Sequence, residues 1–369
     1  MTTRLQVWPG IPSDWDRWVG DDRVGTSERS MRLGIARFGS AFRTFALCDG
    51  DDTLVALGGT VLDDPPANRR SDPFAILSGG CTDVGLIAEG PHPWAGLQTS
   101  DVLPGLMMMH PNWHTRPVGP LARDPKTLDR FVAALLDWAA DKGLAALSFL
   151  YLTSAAQPLL RALASAGAAV VPLASSCVLD ITWADFDGYL AAHSYKRRTA
   201  IRREQRHLAE QQVMVAEEDL AQAASELADL RCALVAKYGG TPRPEKERRM
   251  IAEIRERFAP EETLLVSARS QGRLVNFMLF VRESADWSAV LTGTDYVGGL
   301  SRFSYFSTGF YHPAARAPMA GIRRIHYGFG SWDAKVRRGC RKDPVWAAGL
   351  RLNAGEQSTA VASGVTHAG

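Results

Sequence analysis

The order in which strand-like and helix-like segments alternate constrains the fold of this chain most strongly. Two strand-like runs, at 43–48 and 53–61, flank the turn sequence Asp49-Gly50-Asp51-Asp52, which is typical of an antiparallel hairpin. Apolar residues then recur at helical spacing from Pro125 to Gly143, and the compact apolar run 145–152 predicts a strand. Because short strands alternate with amphipathic helices, the first half is predicted to be a mixed α/β unit.

The second half repeats this order after about residue 175. Its predicted elements are a basic helix, a strand at 212–216, helices at 219–238 and 245–258, strands at 263–270, 274–283 and 287–294, a helix at 303–311 and a strand at 322–327. We therefore predict an α/β (α+β) fold of tandem mixed sheets flanked by helices, with a weak internal duplication. The predicted domains are 1–175 and 176–352, and the small, polar tail 353–369 is predicted to be disordered. The proline-containing stretches 62–74 and 88–120 are predicted loops.

Composition excludes several classes of protein. A hydrophobic content of 46% in 369 residues is ample for packed cores, and a net charge of +2 excludes a uniformly basic nucleic-acid coat. The five cysteines are far apart and form no CxxC pair, which argues against a disulfide framework and a thiolate zinc site. Since no apolar run reaches the roughly 18 residues of a membrane span and the N-terminus lacks a secretory core, we expect a cytoplasmic protein.

A basic run stands out against this neutral background. Tyr195–His207 contains six Lys or Arg residues and a single acid. Helical spacing places three of the arginines in one row, Arg198, Arg202 and Arg206, beside an apolar stripe of Leu190, Ile201 and Leu208. Such a run is often only a solvated helix face, but only Arg206 has an acid at i+4, Glu210. Clustered cations with so few acidic partners are also typical of a surface that binds phosphates.

Short motifs extend from this run towards the C-terminus. They are Asp180, Phe186, Tyr189 and Leu190 before Lys196-Arg197-Arg198-x-x-Ile201-Arg202-Arg203, then Gly293-Thr294-Asp295-Tyr296, then a strand ending in Gly followed by Trp332, Lys335 and Gly339. Their order over about residues 175–350 resembles the acyltransferase domain of the Fem-type peptidoglycan aminoacyltransferases and their CelD-like relatives in the GNAT superfamily. The resemblance implies GNAT-like domains and an acyltransferase (EC 2.3 class), which moves an acyl group from an activated carrier to an amine or hydroxyl.

The resemblance also implies roles for individual residues. Lys335 is expected to stabilise charge at the reacting carbonyl, the alternative being a structural pair with Asp333 or Glu283. Asp295, just past a strand, is expected to bind or deprotonate the acceptor, or else only to form a turn. Tyr305 or Tyr311 can supply a phenol as acid, although a packed aromatic is the alternative.

Two further residues are expected to bind substrate. Asn276, a polar residue within an apolar strand, either holds a substrate amide or bridges a β-bulge. Trp332 is expected to contact the acceptor or to stack on the end of an RNA donor.

The acyl donor is predicted from a missing CoA-binding motif and from two basic clusters. The segment Gly298–Gly309 lacks the residue spacing of the loop that binds the CoA pyrophosphate in CoA-dependent GNAT enzymes. Aminoacyl-tRNA would account for both basic clusters, whose predicted donor-binding residues are Lys196, Arg197, Arg198, Arg202, Arg206, Arg337 and Arg338. A CoA thioester or a phosphopantetheine carrier protein is the alternative, and an inactive RNA- or carrier-binding module is a third. No permanently bound cofactor is expected.

The remaining motifs are weaker. His110 and His114 have the spacing of helical zinc ligands, but Pro111 lies between them and no third ligand is evident, so no metal is expected. Cys81 lies in a turn without an identifiable base. The coiled-coil arm of wall-building Fem enzymes is not recognisable in the sequence. This difference favours a small-molecule acceptor, for instance in antibiotic biosynthesis, and a cell-wall precursor is the alternative acceptor.

Overall fold

The computed structural model describes residues 3–21, 23–35, 41–81, 92–296 and 301–352. The predicted tail 353–369 and the first three residues of the Gly298–Gly309 segment lie outside the described residues. The strands are β1 (Thr3–Pro9), β2 (Phe42–Asp49), β3 (Asp52–Leu62), β4 (Gly105–Met108), β5 (Ala146–Leu152), β6 (Ala169–Asp180), β7 (Val213–Glu218), β8 (Thr263–Ser270), β9 (Arg273–Glu283), β10 (Asp286–Thr294), β11 (Arg324–Gly328) and β12 (Arg341–Arg351).

The helices lie between these strands in chain order. They are α1 (Trp15–Val19), α2 (Glu28–Ile35), α3 (Pro73–Leu77), α4 (Pro125–Asp141), α5 (Gln157–Ser165), α6 (Phe186–Ala191), α7 (Tyr195–Glu210), α8 (Leu220–Lys237), α9 (Pro244–Arg257), α10 (Ser301–Phe306), α11 (His312–Arg316) and α12 (Trp332–Val336), with a π-helix at Ser307–Tyr311.

The chain forms two compact units. Unit 1 takes its described residues from Met1–Gly20, Gly34–Ala174 and Pro344–Gly369, and unit 2 takes them from Asp21–Leu33 and Ser175–Asp343. In unit 1 the strand order is β1-β2-β3-β4-β5-β12, where β4 and β5 are parallel and the other neighbours are antiparallel. Helix α4 provides the crossover that a parallel pair requires.

Unit 2 has the same arrangement of strands. Its order is β7-β8-β9-β10-β11-β6, where β10 and β11 are parallel, joined by α10, the π-helix and α11, and the other neighbours are antiparallel. The predicted fold class, tandem mixed sheets flanked by helices, is therefore confirmed. The predicted duplication is visible in the matching strand order of the two units.

One strand joins a sheet far from its place in the sequence. The end of β12 lies near the end of the described chain and pairs with β5 in unit 1. Strand β6 spans residue 175, and its end, from Cys177 to Asp180, pairs with β11 in unit 2. Unit 1 therefore takes its last strand from the second half of the sequence.

The local sequence explains the best-defined helix. Asp124 accepts a hydrogen bond from the backbone N–H of Thr127 at 2.8 Å, and Pro125 occupies the first turn of α4, where its missing N–H has no cost. The buried face of α4 packs on the unit 1 sheet through Leu128, Phe131, Val132 and Leu135. Unit 2 has separate apolar clusters, and Ile201 and Leu208 are buried on α7, as the predicted stripe requires.

Two local predictions were wrong, and one strand was not predicted. The predicted loop at 88–120 contains β4, a four-residue strand between prolines that is too short to show a period. The helix predicted at 303–311 becomes a π-helix after Phe306. Strand β12, which follows the basic segment after Lys335, was not predicted; it begins with charged residues, and its burial does not alternate along the strand.

A buried carboxyl group gives unit 2 a pH-dependent stability. Burial raises the pKa of Glu283, although Gly25 N–H and Ser27 Oγ donate to it. Because the folded protein binds this proton more tightly than the unfolded chain, the free energy of unfolding falls by about 1.4 kcal/mol for each pH unit between the two pKa values. We expect Glu283→Gln to remove this fall. In thermal unfolding, the Tm of the variant should therefore rise relative to the Tm of wild type as the pH increases from 5 to 7.5. A Tm difference that does not vary with pH, as expected for exposed Glu256→Gln, would contradict the assignment.

Candidate active site

Lys335 lies at the carboxyl end of β11, where it organises the backbone. Its ammonium donates to the carbonyl oxygens of Tyr327, Gly328 and Phe329 at 2.8, 3.2 and 2.9 Å. These bonds use all three N–H donors of a lysine. The side chain is buried, and burial lowers its pKa. The predicted structural pairing with Asp333 or Glu283 is replaced by these three carbonyls.

The loop before Lys335 has an unusual backbone that this ammonium holds together. Gly328, Gly330 and Ser331 have φ values of 64°, 74° and 49°. Left-handed φ is common for glycine but uncommon for serine, so Ser331 marks local strain of a kind often found near functional sites. Because three carbonyls converge on one buried cation, the end of β11 is fixed in position by Lys335.

Asp295 and Asn276 lie together at the end of β10. Asp295 is 9% exposed and forms an ion pair with Arg273. Asn276, opposite Thr294 in the sheet, donates to Gly293 O at 2.9 Å and to Thr294 Oγ1 at 2.7 Å, and accepts from Thr308 of the π-helix. Both N–H donors of Asn276 are therefore used within the protein. The register of β8 and β9 shifts between the pairs Ala268–Asn276 and Arg269–Leu274, next to Asn276.

Tyr305 and Trp332 pack at the edge of the unit 2 core. Tyr305 contacts the rings of Phe306 and Phe310, and burial raises its pKa to about 12. A phenol with that pKa is neutral at physiological pH and can donate a hydrogen bond. The indole N–H of Trp332 donates to Ser175 O at 2.6 Å, so the ring orientation is fixed by the backbone.

Helix α7 divides its cations between solvent and the interior. Lys196, Arg202, Arg203 and Arg206 are exposed, and no ion pair involves them in the part of the chain that the structure describes. We call these four residues the cationic ridge. Tyr195, at the start of the same helix, is 76% exposed. The ridge is thus a free basic surface with an exposed aromatic ring at one end.

The other two predicted donor-binding residues of this helix are half-buried and hydrogen-bonded within the protein. Arg198 donates to His193 O at 2.6 Å. Arg197 donates to Tyr311 Oη at 3.1 Å and lies 3.5 Å from Glu204. Exposed Arg337 neighbours Arg338, which is only 3% exposed and lies 3.3 Å from the Glu204 carboxylate.

Glu204, which the sequence interpretation missed, is the centre of this buried cluster. It accepts hydrogen bonds from Tyr311 and Arg338, and burial raises the pKa of the Tyr311 phenol. One signal was available, since Glu204 is the single acid of the basic run and lies seven residues after Arg197, on the same helix face. The partner Arg338 is remote in sequence and could not be found in this way.

The residues of the weaker motifs, His110 and Cys81, lie in the protein interior. His110 is fully buried, its Nδ1 lies 3.0 Å from His114 O, and burial lowers its pKa to about 3. Cys81 and three other cysteines are buried. Among the described residues, no helix is long and apolar enough to cross a membrane.

The duplicated mixed sheets, each with a crossed-over parallel pair, define the class as a tandem GNAT-type fold. Two solved structures share it. FemX has a TM-score of 0.60 at 9% identity, with 94% of this chain and 98% of FemX covered. A conserved protein of unknown function from Bacteroides thetaiotaomicron has a TM-score of 0.57 at 13% identity, with 92% and 98% covered. At these identities the similarity shows the fold alone.

The family follows from the sequence match. The model of the FemAB-like family, described as peptidoglycan biosynthesis/recognition, matches residues 118–363, and the chain belongs to this family. The resemblance to Fem-like acyltransferases of the GNAT type is thereby confirmed, and acyl transfer is the general chemistry that it supports. No curated protein matches the sequence.

Proposed function

We propose that this protein transfers an aminoacyl group from aminoacyl-tRNA to an amine or hydroxyl of a small-molecule or cell-wall-precursor acceptor. The observation that carries the donor assignment is the cationic ridge. Four exposed cations without acidic partners on one 16-residue helix cost stability through mutual repulsion, and a phosphate backbone offsets that cost.

The exposed Tyr195 strengthens the assignment to RNA. An unpaired nucleotide at the acceptor end of a tRNA stacks on aromatic rings, whereas a protein-bound phosphopantetheine offers no base. Arg198 approaches the Tyr195 ring, with 5.9 Å between its guanidinium carbon and the ring centroid, so the aromatic surface and the charge are adjacent. We assign donor contacts to the ridge and to exposed Arg337.

The chemistry is assigned to residues at the ends of the two parallel strands of unit 2. Lys335 fixes the loop after β11 and supplies positive charge beside the reacting carbonyl. Asp295, at the end of β10, orients the acceptor amine or takes its proton, and the neutral phenol of Tyr305 donates a hydrogen bond. We also propose that the predicted domains 1–175 and 176–352 act as acceptor-docking and catalytic domains.

Transfer from labelled aminoacyl-tRNA tests the function directly. Total bacterial tRNA charged with labelled amino acids is incubated with the protein and with a small-molecule fraction of a bacterial extract as acceptor. We expect label to move, without added CoA, into a small-molecule product that chromatography separates from the free amino acid, and ribonuclease pretreatment of the tRNA to abolish the transfer. Label transfer that requires an acyl-CoA and survives ribonuclease would replace the donor assignment by the CoA alternative.

A further inference from the structure

The buried cluster around Glu204 contains more positive than negative charge. Arg197 and Arg338 both contact its carboxylate, at 3.5 and 3.3 Å, and the phenol of Tyr311 donates to it. Both guanidinium groups stay protonated in a protein, whereas one carboxylate supplies a single negative charge. The cluster therefore has a net charge of +1.

This excess charge is held where water compensates it poorly. The side chains of Arg338, Glu204 and Arg197 are 4%, 10% and 19% exposed. A buried charge without a counter-charge is costly, so natural proteins pair it or bind a counter-ion. Arg338 also lies over the Phe306 ring, with 3.0 Å between its guanidinium carbon and the ring centroid, which fixes the plane of the guanidinium.

Three nitrogen atoms of the cluster have unused hydrogen-bonding capacity. Arg197 Nε, Arg338 Nε and His193 Nε2 are each buried, and no described residue supplies them with a hydrogen-bond partner. His193 precedes Arg197 by four residues, and Gly339, which follows Arg338 in the chain, lies close to the His193 ring, so the three residues lie in one region of unit 2. Burial lowers the pKa of His193, and the charges of Arg197 and Arg338 are the next causes.

Gly339 lies beside the His193 ring at the protein surface. It is exposed and has a φ of 90°, and a Cβ atom there would lie 3.3 Å from His193 Cε1 and 3.2 Å from Leu179 Cδ1. Any other residue would be strained at this φ and would crowd the imidazole. Arg197 is partly exposed and lies in the first turn of α7. Ser194, the N-cap residue of this helix, is exposed.

We propose that Arg197, Arg338 and His193 form a binding site for a small oxyanion, a phosphate or carboxylate group, that accepts hydrogen bonds from the two guanidinium Nε–H groups and from the imidazole. The bound anion supplies the second negative charge of the cluster. Glu204 supplies the first and limits the affinity by competing for the same guanidinium groups. The site is distinct from the exposed cationic ridge and does not rest on the identity of the acyl donor.

Thermal unfolding in the presence of single anions tests the site. Inorganic phosphate and acetate are titrated separately at pH 7.5, with chloride holding the ionic strength constant. We expect a saturable rise in Tm, since a ligand that binds only the folded state stabilises it. The anion that saturates at the lower concentration identifies the phosphate or carboxylate class.

Variants assign the rise to the cluster. Arg338→Met should weaken anion binding about tenfold or more, the usual effect of losing a charge-assisted hydrogen bond. Two control proteins should bind the anion as wild type does. The first is Arg337→Met, which makes the same charge change on the exposed neighbour of Arg338. The second is the double variant Arg202→Ala with Arg206→Ala. Glu204→Gln should tighten anion binding, because both guanidinium groups then lack a competing carboxylate.

A second readout keeps the proposal testable if Arg338→Met does not fold. NMR titration of wild-type His193 should show its pKa rise on addition of the saturating anion. An unchanged His193 pKa, a Tm rise that is linear in salt, or equal effects of Arg337→Met and Arg338→Met would each overturn the site.

Discussion

Lys335→Ala is expected to lower kcat for acyl transfer about 100-fold, the usual cost of removing one group that stabilises developing charge. It should change the Kd for aminoacyl-tRNA little, because Lys335 is buried and does not belong to the ridge. The truncation also leaves three carbonyl groups without their common donor. We therefore expect a loss of about 2–3 kcal/mol in the free energy of unfolding as well.

Single-turnover rates at saturating donor separate the two effects. They are measured below the Tm of the variant, with circular dichroism to show that it is folded. Lys126→Ala, an exposed lysine on α4, is the control for the loss of charge and should retain wild-type rates. A folded Lys335→Ala protein with an unchanged kcat would assign Lys335 to the backbone of β11 alone.

Arg202→Ala combined with Arg206→Ala is expected to weaken tRNA binding by more than tenfold near physiological salt. Each lost phosphate contact should reduce the slope of log K against log salt concentration by about 1. Both arginines are exposed and unpaired among the described residues, so their removal should leave the Tm nearly unchanged. Fluorescence anisotropy of labelled tRNA over a salt series measures the affinity and the slope together.

A matched pair of substitutions shows whether the position of the charge matters. Lys246→Ala with Arg249→Ala removes two exposed cations from α9, another helix of unit 2. This control should keep the wild-type slope. Equal losses in the two double variants would indicate attraction by net charge, and tRNA binding that does not depend on salt would remove the ridge from the donor site.

Sequence periodicity was sufficient for the elements that bury an apolar face. The hairpin of β2 and β3, helix α4 and the strands β8 to β10 lie close to their predicted positions. It failed at β4, where four residues are too few to show a period, and at the π-helix, where Thr308 contacts Asn276 of β9. For the proposed site, sequence suggested Lys335 and Asp295 through motifs and the ridge through charge, whereas Glu204 appeared only as the single acid of the basic run.

The sequence by itself determined the α/β class, the family and the presence of a free basic helix, because period, motif order and charge are local properties. Tertiary structure decided which of these charges face solvent. Arg197 and Arg202 occupy the same basic run, yet the first donates a hydrogen bond to Tyr311 inside the protein and the second is exposed. Tertiary structure also decided that β12, from the end of the chain, joins the unit 1 sheet. Both depend on partners more than 100 residues away, and the free energy of those long-range contacts leaves no periodic signal along the chain.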